Sequence, residues 1–146
     1  MKPSVVSNIE YRPATTSDIP AMSAIRLAVR ENVLSDPAKV TLHMYADYLG
    51  PLGRGWVAEV DGEIAGFSYA DNTDASIWAL FIAPAFEGRG LARELLRLAI
   101  DWLLAQGHAE VRLSTGADTR AARFYTAQGW RLERVENGNA WFVFEG

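Results

Sequence analysis

The chain contains no cysteine, which excludes disulfides, thiolate metal sites and a cysteine nucleophile. Histidine is nearly as scarce. His43 and His108 are the only two, too few for a His-rich metal centre, and no metal is expected. No run approaches the ~18 apolar residues of a membrane span. Met1 to Glu10 carries one lysine and no apolar run, so it does not read as a secretory signal. Nor is there an excess of positive charge: 14 Lys+Arg against 18 Asp+Glu leave a net charge of -4, which argues against a broad basic face for nucleic acid. Repeats, low-complexity tracts and Gly/Ser linkers are absent as well. The expectation is one soluble, cytoplasmic domain over residues 1–146, with residues 1–7 as a frayed start and no membrane or nucleic-acid partner.

What is present is a core-forming composition. Of 146 residues, 49% are hydrophobic and 22% charged, and a chain of this length buries roughly two-thirds of its unfolded surface. Five Trp, five Tyr and six Phe need either a core or a binding cleft to sit in. Asn8 to Arg12 reads as a strand stopped by Pro13. Ser17 and Asp18 offer N-caps for a helix with apolar residues at Ile19, Met22, Ile25, Leu27 and Val29. A second helix is expected over about Ala38 to Leu49, broken by Gly50, Pro51, Gly53 and Gly55.

The middle of the chain has strand character. Trp56–Val60 and Ile64–Tyr69 flank Asp61-Gly62, a hairpin turn signal because both residues tolerate positive φ. Ser76 to Ala83 reads as a third, buried strand ended by Pro84. From Leu91 the apolar period becomes helical, with Leu91, Leu95, Leu98 and Trp102 in one row and Ala92, Leu96, Ala99 and Leu103 in the next. Gly107 suits the position just past that helix. Val111–Ser114 follows as a short strand, then a helix capped by Asp118 or Thr119 and running to about Gln128. Two strands around Asn137-Gly138 close the chain. The order is a mixed α/β domain with one central sheet, not a repeating βα barrel.

The most informative stretch is Leu80 to Ala92, where a buried strand runs through a glycine-rich turn into an amphipathic helix. Free backbone N–H groups at a helix start, with Gly88 and Gly90 allowing close approach, make a site for phosphate oxygens, and Arg89 adds positive charge. It is neither a nucleotide P-loop nor the dinucleotide GxGxxG, and a plain tight turn explains the same residues equally well. The second informative stretch is Asp118 to Tyr125, a helix with Ala121, Phe124 and Tyr125 near one face, followed by Gly129-Trp130. A tyrosine on such a face serves equally well as a core residue.

Taken in order along the chain, the two stretches resemble the GCN5-related N-acetyltransferase (GNAT) superfamily, over about Ile9 to the end. The family's Gln/Arg-x-x-Gly-x-Gly/Ala signature reads here Glu87-Gly88-Arg89-Gly90-Leu91-Ala92, after the family-like run Leu80 to Pro84. The later Asn-x-x-Ala-x-x-Phe-Tyr motif reads Asp118 to Tyr125. The sequence departs from the pattern twice. Glu87 stands where Gln or Arg is usual and brings a carboxylate toward the pyrophosphate. Asp118 replaces the common Asn and is expected still to cap its helix.

The resemblance implies a single domain with a central, mostly antiparallel twisted sheet of about seven strands flanked by about four helices, splayed at the acyl-CoA-binding strand. It implies acetyl-CoA as co-substrate, held near Phe81, Ile82, Glu87, Gly88, Arg89, Gly90, Leu91, Ala92, Asp118, Ala121 and Tyr125. Tyr125 occupies the general-acid position. No ionisable side chain lies in Ile77–Ile82, so the candidates left for a general base are Glu31 and Glu59, narrowly ahead of His43 and Asp47, and each reads more readily as a solvated surface group or helix cap. Arg30, Glu31, Asn32 and Trp78, with His43, Tyr45, Tyr48 and Trp56, stand where the family builds its acceptor pocket; Asp71 and Asp74 carry charge suited to a cationic amine. The expected partners are a small-molecule or peptide amine and, through the C-terminal strands, a second copy in a homodimer. The expected activity is N-acetyl transfer in a ternary complex. The alternative is a catalytically silent acyl-CoA sensor or partner-binding module on the same fold, for which Glu87 and the missing obvious base are the motive.

Overall fold

The computed structural model describes residues 8–28, 46–50 and 52–146. Among them the chain forms β1 (Ile9–Pro13), α1 (Ile19–Ala28), β2 (Gly53–Val60), β3 (Glu63–Asp71), β4 (Ser76–Ile82), α2 (Leu91–Ala105), β5 (Glu110–Gly116), α3 (Arg120–Ala127), β6 (Arg131–Glu136) and β7 (Asn139–Glu145). The strands make one seven-stranded sheet in the order β1-β2-β3-β4-β5-β7-β6. Every neighbouring pair is antiparallel except β4 and β5. The mixed, mostly antiparallel architecture is the one expected. Of the four helices expected, three lie among the described residues; most of the second, Ala38 to Leu49, lies outside them, as does Val29.

The hairpin turns form where their residues demand. Asp61 and Gly62 have φ of 53° and 85°, and Asn137 and Gly138 have 53° and 79°, the paired positive values that match strand twist. Gly53 and Gly55, expected as breakers of the second helix, lie in β2. A Cβ on Gly53 would sit 2.0 Å from the Ala70 carbonyl oxygen, and one on Gly55 would sit 2.8 Å from the Tyr69 ring. Close approach of β3, not chain reversal, requires glycine there. The cap of the first helix also differs from expectation. A short 3-10 turn, Thr16–Asp18, precedes α1, and the Thr15 N–H donates to Asp18 Oδ2 at 2.8 Å. Leu27 points outward at 62% exposed, since the buried stripe of α1 runs through Met22 and Ile25.

Two apolar layers cover the sheet. On one face, Leu91, Leu95, Leu96, Ala99, Ile100 and Leu103 of α2 pack with Ala58, Ile77, Val111 and Phe142. On the other, Met22 and Ile25 of α1 pack with Val57, Phe67, Tyr69 and Ala79. The buried Ser68 hydroxyl donates to the Leu95 carbonyl at 3.0 Å and pins α2 to β3.

The feature that shapes the site is in β4. Its register with β3 runs from Asp71↔Ser76 to Gly66↔Ile82, but Tyr69 faces Ala79 and Ala70 faces Ile77, so Trp78 is an extra residue. This bulge turns Ile77 to the α2 face while Ala79 stays on the α1 face, and it bends β4. On the other side, β4 meets β5 at a single pair, Ser76↔Arg112, with the Arg112 N–H donating to the Ala75 carbonyl at 2.9 Å. Beyond that point the two parallel strands part.

Candidate active site

Beside the end of β4 that has parted from β5 lies a cleft of about 500 Å³. Leu80, Phe81 and Ile82 of β4 form its floor. Gly88, Gly90, Leu91, Ala92 and Arg93 form one wall, and Arg120, Ala121, Phe124 and Tyr125 of α3 form the other. A strand that has lost its neighbour offers unpaired backbone groups, which a ligand with amides of its own satisfies. The floor is otherwise apolar. This combination suits an extended arm carrying alternating amide and methylene groups.

The turn at the cleft mouth is built by its glycines. Gly88 and Gly90 have φ of 79° and 81°, values that other residues adopt only under strain. A Cβ at either would meet nothing within 4 Å, so the protein interior does not fill this space. Gly90 is the N-cap of α2 and supplies no side-chain cap, leaving first-turn amides for an outside acceptor. The donor set and the open space fit the phosphate groups of acetyl-CoA, with Gly88–Arg93 to hold them.

Tyr125 is 7% exposed and lines the cleft among Phe124, Trp130 and Phe142, whose ring centroids lie 5.4, 5.8 and 6.0 Å from its own. Burial pushes its phenol well above the ordinary value of 10, which keeps it protonated. Its hydroxyl has no hydrogen-bond partner among the described residues. It is therefore a buried, neutral phenol facing an open space. Tyr125 is held there by α3, whose N-cap is Thr119: the Ala122 N–H donates to Thr119 Oγ1 at 3.1 Å. Asp118 does not cap. It takes φ of 61° one residue earlier, and its carbonyl accepts from Arg123 Nη1 at 3.5 Å.

The structure brings Phe81, Ile82, Glu87, Gly88, Gly90, Leu91, Ala92, Ala121 and Tyr125 into this one cleft and leaves Asp118 and Arg89 outside its lining. The Arg89 guanidinium lies over the Phe86 ring, 5.3 Å from its centroid. Glu87 carries its carboxylate to Arg120, with Oε2 3.0 Å from Nη2. Glu59 is held elsewhere: its Oε2 accepts from Arg12 Nη2 at 3.0 Å, and Arg12 also grips Asp18 at 2.8 Å. Trp78 packs on Tyr69 and Tyr48, with centroids 4.7 and 5.5 Å away, and does not line the cleft. Arg30, Glu31, Asn32, His43 and Tyr45 lie outside the described residues. Asp47 is exposed. No cluster of three or more His, Asp or Glu among the described residues could hold a metal ion, and no described helix is long and apolar enough to cross a membrane.

Sequence reasoning missed Arg93, Arg120 and Gln128, all of which line the cleft. Assigning the cap to Thr119 would have marked Arg120 as the first residue of α3, opposite the glycine turn. Arg93 sits in the first turn of α2, where a phosphate site would reach it.

Comparison with known proteins agrees with this geometry. The model of the acetyltransferase (GNAT) family matches residues 21–130. An uncharacterized N-acetyltransferase of Archaeoglobus fulgidus is 34% identical over 94 residues, 58% of this chain and 63% of that protein. Mycothiol acetyltransferase of Thermobispora bispora is 30% identical over 129 residues, 82% of this chain and 42% of its own length. The matches thus span less than two-thirds of these curated relatives. The crystal structure of PaiA N-acetyltransferase from Thermoplasma acidophilum in complex with coenzyme A has the same fold. It superposes with a TM-score of 0.76 over 95% of this chain and 99% of that one, at 17% identity. The matched segment runs through the bent strand, the glycine turn and the helix of Tyr125, and on that match the chain belongs to the GNAT acetyltransferase family.

Proposed function

We propose that the protein is an acetyl-CoA-dependent N-acetyltransferase that acetylates an amine of a small molecule or peptide by direct attack in a ternary complex. The observation that carries the reading is the convergence of three parts on one cleft: the unpaired edge of β4, the uncapped glycine turn before α2 and the buried Tyr125. Acetyl-CoA supplies the activated acyl group. The β4 edge at Phe81 and Ile82 orients the pantetheine arm, and the amides at Leu91 to Arg93 meet the phosphates.

In the reaction the amine nitrogen forms the new C–N bond as the C–S bond breaks. The departing sulfur takes the Tyr125 hydroxyl proton, and the proton lost by the amine, passed through water, restores the phenol. An acetyl-cysteine intermediate is excluded, because the chain has no cysteine. With that nucleophile absent, direct transfer is the route this reading takes. The apolar walls keep the thiolate short of water, which makes a nearby proton donor more effective.

The test is release of free thiol on mixing the protein, acetyl-CoA and a panel of amines. Thiol release that requires the amine, with initial-rate lines that intersect, supports the reading. Acetyl-enzyme accumulating before the amine is added would exclude direct transfer. Stabilisation by acetyl-CoA without thiol release would assign a silent sensor; a ligand at a hundred times its Kd adds about 2.7 kcal/mol.

A further inference from the structure

The walls of the cleft are joined across its mouth by one ion pair. Glu87, in the turn before α2, and Arg120, the first residue of α3, meet at 3.0 Å, and both line the cleft. Glu87 is the only carboxylate among the described residues that line the cleft, and it stands beside the amides that suit phosphate. A carboxylate at that place repels a phosphate unless its charge is matched. Arg120 matches it.

We propose that Arg120 is a specificity-determining residue for the phosphate-bearing end of the acyl donor, exchanging Glu87 for a phosphate oxygen when the donor binds. This rests on the acyl-CoA reading above and adds to it a residue outside the glycine turn. The exchange is favoured on three grounds. The pair is exposed, with side chains 66% and 35% accessible, and exposed ion pairs hold weakly. A guanidinium binds the diphosphate or 3′-phosphate of the donor more strongly than a solvated carboxylate, because both can accept its two parallel N–H bonds but the phosphate group carries more charge. The remaining lining cation, Arg93, sits on the opposite wall in the first turn of α2, so Arg120 closes the phosphate site from the side that the turn leaves open.

Glu87 then acts as a positioning residue. It keeps Arg120 over the cleft before the donor arrives and weakens donor binding by the strength of the pair that must be given up. The pair also discriminates. A donor with an acylated pantetheine arm but no phosphate gains nothing from Arg120, whereas a full coenzyme A thioester does.

Calorimetric binding of acetyl-CoA, 3′-dephospho-acetyl-CoA and phosphate-free acetyl-pantetheine to the wild type, Arg120→Gln, Arg120→Lys and Glu87→Gln tests this without turnover. Arg120→Gln is expected to weaken acetyl-CoA about ten- to hundredfold. It should leave acetyl-pantetheine unchanged, with Arg120→Lys between it and the wild type. Glu87→Gln is expected to tighten acetyl-CoA about two- to fivefold, less so at high salt. If 3′-dephospho-acetyl-CoA feels Arg120→Gln as fully as acetyl-CoA does, the partner is the diphosphate; if it does not, the partner is the 3′-phosphate. Either supports the proposal. Equal weakening of all three donors, no effect of Arg120→Gln on acetyl-CoA, or looser binding in Glu87→Gln would overturn it while leaving the acyl-CoA reading intact. Failure of the wild type to bind acetyl-CoA would overturn both. Unchanged thermal unfolding of each variant excludes loss of folding as the cause.

Discussion

The two edges of β4 carry the same sequence and do opposite work. Toward β3 the strand is paired from Asp71↔Ser76 to Gly66↔Ile82, close enough that a Cβ on Gly66 would lie 2.6 Å from Ile82 Cδ1 and 2.9 Å from the Phe81 carbonyl oxygen. Toward β5 it is paired once, at Ser76↔Arg112, and then opens into the cleft. Along β4, the bulge at Trp78 lies between that single pair and the open stretch Leu80–Ile82. A tightly packed edge holds the floor still while the opposite edge is left for a ligand. Rigidity on one side is what makes an unpaired backbone on the other a site instead of a frayed strand.

The largest effect is expected on the open side. Tyr125→Phe removes the proposed proton donor and keeps the ring, so kcat should fall about 10²–10⁴-fold with little change in KM for acetyl-CoA. A change confined to KM would make Tyr125 a packing residue. In the wild type, burial raises the phenol, so its ionisation should cost no activity up to about pH 10. A pH profile of kcat reads this directly.

The paired side is tested by Gly66→Ala. The added methyl forces β3 and β4 apart, and a loss of about 1–3 kcal/mol is expected from overpacking. Chemical denaturation measures it, and a neutral result would show that β4 shifts freely. Gly90→Ala tests the turn facing the open edge. At φ of 81° alanine costs about 1–2 kcal/mol, although nothing lies within 4 Å of the new methyl. Weakened acetyl-CoA binding with only that modest loss of stability would separate the turn from the core.

The smallest effect lies at the far end of the paired half. Arg12 on β1 lowers the Asp18 carboxyl below its ordinary value of 3.8, chiefly through their hydrogen bond. A lowered carboxylate contributes stability above its unfolded value and loses it as pH falls through the folded one. Acid should therefore erode stability below about pH 4. Asp18→Asn, which removes this charge, should cost about 1 kcal/mol at neutral pH, the pair being partly screened. Its stability should fall less steeply in acid, as thermal unfolding against pH would record.

The opposite end of the sheet is an edge guarded against further pairing. All of β6 is exposed, including Leu132 and Val135, yet Leu132 faces Phe142 and Arg134 faces Trp141, making Glu133 an extra residue. Arg131, Glu133, Arg134 and Glu136 add charge. Bulges and charges of this kind blunt an edge against further pairing.

Sequence alone determined the elements and the two motifs. Local chemistry suffices for these: positive φ at Asp61-Gly62 and Asn137-Gly138, the apolar period from Leu91, and the Gly88–Gly90 turn. It also marked Tyr125, but only through the resemblance of Asp118 to Tyr125 to the family motif, since a tyrosine on that helix face serves equally well as core. Tertiary structure decided everything that depends on contacts distant along the chain. Gly53 and Gly55 read only as helix breakers, and their close approach to Ala70 and Tyr69 shows once β3 comes across. The cap of α3 belongs to Thr119 because Asp118 is turned into left-handed backbone. Glu59 reads as a free base until Arg12 binds it, and Glu87 as a misplaced charge until Arg120 meets it. A residue's own propensity is written in its neighbours along the chain, whereas the charge and space around it belong to whatever the fold brings beside it.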